Sequence, residues 1–247
     1  MSQNRRSLWP REHGAYAQLG FPLVTALVAG RPTLASLALA LASMAAFVAH
    51  EPLAVTIGVR GPRARRDEGA RARRWLVGLG GAALALGAAG FWLAPAARVF
   101  AVVAGAFAAV AGAILWARKE RTRAGEIVAA TALAGAAAPV AASAGVHPFW
   151  VLACWAVWSA QSAMSTLAVR AIVTRAPAWP TLVATASLLL AGSLAGRSIA
   201  IALAPMAVAC SVIVLSSLSP KSLRAAGLAL AFAMLFSAAS LVVGART

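Results

Sequence analysis

Nine apolar blocks follow one another along the chain, separated by short stretches where charge, proline and glycine collect. Each is close to the ~20 residues that a helix needs to cross a ~30 Å hydrocarbon layer. The blocks run at about 13 to 30, 33 to 58, 75 to 93, 99 to 117, 124 to 144, 148 to 169, 181 to 196, 199 to 217 and 223 to 243. Soluble domains are roughly 45–50% apolar and ~25% charged, whereas this chain of 247 residues is 62% apolar and 11% charged. The spacing predicts an all-α fold: a polytopic transmembrane helical bundle of about nine helices, forming a single integral membrane domain over residues 1–247. The seventh block is the shortest and ends at Arg197, so 181 to 217 reads either as two spans or as one span with an interfacial piece.

The basic residues choose between these alternatives and set the orientation. Lys and Arg accumulate in the cytoplasmic connections of membrane proteins. With the N-terminus inside and nine spans, only Arg31, Arg98, Arg197 and Arg246 fall outside, and every other Lys and Arg falls inside. A miscounted span would scramble that alternation, so the pattern predicts N-terminus in, C-terminus out, and separate seventh and eighth helices. The densest inside connection is a basic cytoplasmic loop at 60–74, RGPRARRDEGARARR. In a soluble protein a net charge of +16 would suggest nucleic acid. Here it orients the chain and attracts anionic lipids at the cytoplasmic face, so no nucleic-acid partner is expected. The first block lacks a small-residue cleavage site and reads as a retained helix. These features predict a multi-pass integral membrane protein. Trp9, Trp75, Trp92, Trp116, Trp150 and Trp179 fall near block ends, where amphipathic rings meet headgroups. Trp155 and Trp158 lie inside the sixth block, as packing between helices or as cavity lining. Cys154 and Cys210 sit in apolar blocks as small hydrophobes.

The acids carry independent information, because the inside bias concerns Lys and Arg. All six, Glu12, Glu51, Asp67, Glu68, Glu120 and Glu126, map to the cytoplasmic side, as do His13 and His50. Two mirrored dipeptides stand out: Glu12-His13 enters helix one, and His50-Glu51 precedes Pro52 in helix two. Consecutive spans are antiparallel, so the two dipeptides belong at the same membrane face. If helix two runs to about Val59, His50 and Glu51 are embedded, where ionisable groups are costly and functional. His13, His50 and Glu51 would then hold a divalent cation such as magnesium, or relay a proton. Alternatively, Glu12 caps helix one and Pro52 ends helix two with Glu51 in water. The 60–74 run is either a solvated connection or a guanidinium cradle for phosphate. Arg118, Glu120 and Glu126 could wall a cytoplasmic cavity, although Glu126 also suits a helix N-terminus. In the sixth block Gln161, Ser162, Ser165 and Arg170 recur at about helical-turn spacing, as a polar face or as bridges between helices. No Walker loop, dinucleotide glycine fingerprint, H-E-x-x-H or Cys/His metal spacing occurs, and no catalytic residue is assigned.

The opening Trp9-Pro10-Arg11-Glu12-His13-Gly14-Ala15, with Pro22 later in the first helix, resembles the signature of the YwiC-like family of bacterial integral membrane proteins. The likeness continues through His50-Glu51-Pro52-Leu53 and its Arg-rich loop, the 118 to 126 segment, and Ser165 with Arg170. It implies a membrane fold in a bacterial inner (cytoplasmic) membrane, but no particular reaction. The nine-helix count, with basic connections after even-numbered helices, is also similar to the UbiA superfamily of intramembrane prenyltransferases. That likeness implies magnesium and a prenyl diphosphate held by two Asp-rich motifs, after helices two and six. Here the first region offers His50, Glu51, Asp67 and Glu68, and the second, 170 to 180, has no acid.

Three functions follow as expectations. The leading one is a cytoplasm-facing cavity for a lipidic, isoprenoid or phosphorylated ligand, with Arg11, His13, His50, Glu51 and Arg118 at its polar end and a divergent UbiA-like transfer as the reaction it would support. The others are a small-molecule or proton-coupled transporter and a non-catalytic membrane subunit of a complex.

Overall fold

The computed structural model describes residues 7–10, 13–117, 119, 122–175, 177–216 and 222–247, with His13 described by its backbone alone. These residues form α1 (His13–Ala29), α2 (Leu34–Thr56), α3 (Pro62–Leu93), a 3₁₀ turn (Pro95–Ala97), α4 (Arg98–Trp116), α5 (Arg123–Gly135), α6 (Ala137–Ser143), α7 (Pro148–Thr174), α8 (Trp179–Ala195), α9 (Arg197–Leu215) and α10 (Leu223–Arg246). No strand occurs among them. Helices α5 and α6 are one bent span. Pro139 has no N–H to offer the carbonyl of Gly135, which places the break at Ala136. The described residues therefore make nine traverses, as the apolar blocks predict.

Six of these spans are long and apolar enough to cross a membrane, and α1 and α8 are shorter apolar helices. The ninth, α7, has 27 residues but interrupts its apolar surface with Ser159, Gln161, Ser162 and Ser165. Local chemistry sets the boundaries. Thr33 and Ser36 close a capping box at the start of α2, and Thr122 accepts from the Gly125 amide at the start of α5. Pro62 and Pro148 occupy first-turn positions, where the missing N–H costs nothing. Gly196, at φ 142°, is the single residue between α8 and α9, so these are two helices rather than one span with an interfacial piece.

The bundle is built around α7, which touches α1, α5, α6, α8, α9 and α10. One core gathers α7, α9 and α10 around Trp158, Met164, Met206 and Leu230, and a second joins α1, α2, α6 and the start of α7 around Leu23, Leu39 and Val140. Small residues permit close approach where α3 meets α2, with Gly90 against Leu39 and the carbonyl of Ala35. The other face of α3 and most of α4 are turned outward: 6% and 11% of their most apolar windows are buried. Gly78, Gly81, Gly105 and Gly112 have open space beside them, so only some of the glycines serve close helix packing.

The segment at 60–74 departs from the expected connection. Only the turn through Gly61 links the two helices, and the rest forms the first three turns of α3. Pro62 starts that helix, Ala64, Gly69 and Ala72 give it a buried stripe, and the arginine side chains accept helical geometry readily. A charge run read as solvated chain is thus rigid helix.

Candidate functional site

Pro52 does not end α2. The helix continues one turn beyond it, and Glu51 is only 6% exposed rather than in water. After Thr56 the chain turns through Gly58 (φ 82°) and Gly61 (φ 95°), conformations that favour glycine. This turn folds Arg60 back onto the end of α2. Its Nε donates to both Glu51 carboxylate oxygens at 3.2 and 3.1 Å, and its second terminal nitrogen donates to Oε2 at 2.7 Å. The two side chains are 16% and 8% exposed, so the pair is largely desolvated. Such a pair contributes little net stability over an apolar substitute, yet losing either member takes the closest counter-charge from a group held largely out of water. His50, half-buried, lies beside it in sequence.

Beyond the turn, α3 sorts its charges by face. On the inner side Arg71 reaches Glu68 at 3.4 Å and lies 5.7 Å from the ring centre of Trp75. Trp75 meets Trp9 edge-on at 6.0 Å. Leu8 is buried with Val55 and Ala72, which ties the chain before α1 to the α2–α3 turn. On α1, Tyr16 packs edge-on against Phe47 of α2 at 5.0 Å and donates to the Pro10 carbonyl. The described residues on both sides of the opening Glu-His motif thus contact the C-terminal half of α2 or the start of α3. On the outer side of α3, Arg63, Arg66, Arg73 and Arg74 are exposed. Only Arg63 has an ion pair among the described residues, a solvent-exposed contact to Asp67 at 3.7 Å.

At the same end of the bundle, Glu126 in the first turn of α5 accepts from Arg170 near the end of α7 at 2.8 Å. The acid also complements the positive end of its helix, as one of its two sequence readings expects. Along α7 towards the bundle centre, the Ser165 hydroxyl donates to the Ser162 carbonyl at 3.0 Å. Gln161, wholly buried, donates from Nε2 to the Ala202 carbonyl of α9 at 3.0 Å. The amide thus bridges α7 and α9 three residues before Pro205. Trp158 stacks on Phe21 of α1 at 6.2 Å, and the Trp155 indole covers Gly135. Both tryptophans pack between helices.

Of the candidate residues, Arg11, Glu12, Arg118 and Glu120 lie outside the described residues, as does the His13 side chain. Apart from His50, the rest join in pairs: Glu51 with Arg60, Glu126 with Arg170, and Ser165 with the backbone of Ser162. Among the described residues no group of three His, Cys, Asp or Glu could hold a metal ion. Arg60 was not among the sequence candidates. The signal for it was Gly58 and Gly61, which permit the tight reversal that aims it at Glu51.

The opposite end is chemically distinct. There Arg31, Ala29, Gly30, Ala144, Gly145 and Arg246 line a concavity of about 550 Å³. The Arg246 guanidinium donates to the Val28 carbonyl at the C-terminal end of α1, where a cation is favoured. Every described carboxylate side chain belongs to the other end.

No curated protein and no solved structure matches the chain. The family model described as YwiC-like protein matches residues 9–142, from the Trp-Pro-Arg-Glu-His opening through the bent α5–α6 span. That match covers more than half of the chain and takes in both mirrored dipeptides and the basic start of α3, so the protein belongs to the YwiC-like family.

Proposed function

We propose that the end of the bundle carrying the Glu51–Arg60 and Glu126–Arg170 pairs binds the phosphorylated headgroup of a lipidic ligand. Under the inside bias of Lys and Arg this end faces the cytoplasm, and the membrane is a bacterial inner membrane. The observation that carries the reading is the exposed guanidinium face of α3. Arg66, Arg73 and Arg74 project from one rigid helix beside Trp75, at headgroup level, with no ion pair among the described residues. The inner acids are held by other arginines, which leaves this face strongly cationic. Guanidinium groups clamp phosphate oxygens in pairs, and a helix presents them at constant spacing. The outward apolar surfaces of α3 and α4 would run along the acyl or isoprenoid tail.

Binding fits this geometry better than transfer chemistry, because Glu51, Glu68 and Glu126 each face a guanidinium of this chain. The test is thermal stabilisation of the detergent-purified protein by phosphatidylglycerol, phosphatidylcholine and farnesyl diphosphate. Each surface arginine near a phosphate contributes about 1 kcal/mol, so Arg66→Gln/Arg73→Gln/Arg74→Gln should weaken binding of the anionic ligands by ~100-fold. Equal stabilisation by the zwitterionic and anionic lipids, with no effect of the diphosphate, would overturn the proposal.

One observation supports a second reading, a small-molecule or proton-coupled carrier: a carrier requires polar groups deep in the bilayer, and α7 supplies Gln161 and Ser162 there. Proteoliposome flux separates it from the first.

A further inference from the structure

Serine and threonine side chains in this bundle have a strong habit. Thr25, Ser43, Thr185 and Ser237 each donate to the carbonyl four residues earlier, at 2.8, 2.9, 2.7 and 2.8 Å. That bond is always in reach of a helical hydroxyl and removes its need for any other partner in an apolar setting. One turn of α7 breaks the habit. The hydroxyls of Ser159 and Ser162, the Trp158 indole N–H and the Gln161 carbonyl oxygen are all buried with no hydrogen-bond partner. Trp158, Gln161 and Ser162 are 1%, 0% and 0% exposed, and they share one helical face midway along the span. A buried polar atom without a partner costs more than a formed hydrogen bond returns, so such atoms collect where something else completes them.

The atoms also define the guest. Gln161 must present its carbonyl oxygen here, because its amide nitrogen is committed to Ala202. This face therefore offers one obligate donor, the Trp158 N–H, one obligate acceptor, the Gln161 oxygen, and the Ser162 hydroxyl, able to play either part. An anion would face the Gln161 oxygen and a cation the indole N–H. A ketone has no proton for Gln161. A hydroxylic oxygen meets all of these requirements. Met164, Met206 and Cys210, buried in the same core, keep the surroundings uncharged.

We infer that the Trp158–Ser162 turn of α7 is an internal binding site for a neutral hydroxyl, supplied either by water or by the alcohol group of an apolar ligand. The inference does not depend on the headgroup reading, which concerns the basic end of the bundle.

X-ray radiolytic labelling in heavy-oxygen water tests it, since activated bound water oxidises the side chains it touches even where bulk solvent is excluded. The full chain is labelled in phosphatidylcholine nanodiscs, both as purified and after exhaustive delipidation, and oxidation of Trp158 is read by mass spectrometry. Labelling in both preparations identifies water. Labelling only after delipidation identifies the alcohol of a co-purified apolar ligand, which then appears in the extract. In either case Ser162→Ala should lower the Trp158 rate several-fold, whereas Ser237→Ala, which removes a hydroxyl already satisfied by Ala233, should leave it unchanged. An unlabelled Trp158 in both preparations, or equal rates in wild type and Ser162→Ala, would overturn the inference.

Discussion

Removing Arg60 alone should damage this protein more than removing it together with Glu51. The wild-type pair has three short contacts and little exposure. Arg60→Ala takes away the guanidinium but leaves the Glu51 carboxylate where water reaches it poorly. Breaking a buried pair from one side costs about 3–5 kcal/mol; because Arg60 keeps some solvent contact, the lower figure applies, about 3 kcal/mol. Glu51→Ala removes the same contacts from Arg60, whose longer side chain can swing toward the headgroups, so its cost is smaller, about 2 kcal/mol. The double variant removes both charges together and should lose only about 2 kcal/mol, which leaves a coupling of roughly 3 kcal/mol. For a chain of this size 1 kcal/mol shifts the midpoint by ~2–4 °C, so Arg60→Ala should melt about 6–12 °C lower. Intrinsic tryptophan fluorescence in detergent reads all four proteins of the cycle. Because the pair is enclosed, its coupling should change little with salt. Additive single losses, within about 0.5 kcal/mol, would refute the claim that the two side chains form one desolvated unit.

Three further outcomes are expected. Gly90→Val should destabilise the fold by about 1–3 kcal/mol, because its first carbon would meet Leu39 at 2.6 Å and the Ala35 carbonyl at 3.2 Å. Gly81→Ala, with open space at that point, should be neutral or stabilising by up to ~1 kcal/mol, and the two melting points check the contrast. Gln161→Leu removes the bridge to Ala202 and should cost about 1–2 kcal/mol, measured as a lowered midpoint. Single cysteines introduced at Arg66 and Arg175 should react with an impermeant maleimide only in inside-out vesicles, and cysteines at Arg98 and Arg246 only in right-side-out vesicles, in a background lacking Cys154 and Cys210. Labelling of both sets from one side would contradict the nine-traverse arrangement.

Much of the architecture was legible because a bilayer imposes one-dimensional rules. Length and hydropathy mark each traverse, and charge marks its ends. Hence the block borders at 33 and 223 fall within a residue of the starts of α2 and α10, and the Lys/Arg alternation rightly kept α8 and α9 apart. The 60–74 run was misread as loop because periodicity methods look for apolar stripes. The stripe here is made of Ala64, Gly69 and Ala72, too small to register against so many arginines. An embedded Glu51 was one of two readings the sequence left open, and its partner was not legible: an ion pair nine residues apart depends on a glycine turn whose φ angles no local pattern spells out.

What the sequence determined by itself is everything that depends on transfer from water to lipid: that the chain is helical and embedded, how many times it crosses, and which ends gather its charge. These are sums over single residues, and each residue contributes whoever its neighbours are. Which groups meet was decided only by tertiary packing. Arg170 finds Glu126, Gln161 finds the carbonyl beside Pro205, and Trp158 finds Phe21, in each case across helices far apart in the chain. Such encounters are set by helix rotation and crossing geometry, which arise from many weak contacts acting together, so no stretch of sequence carries them alone.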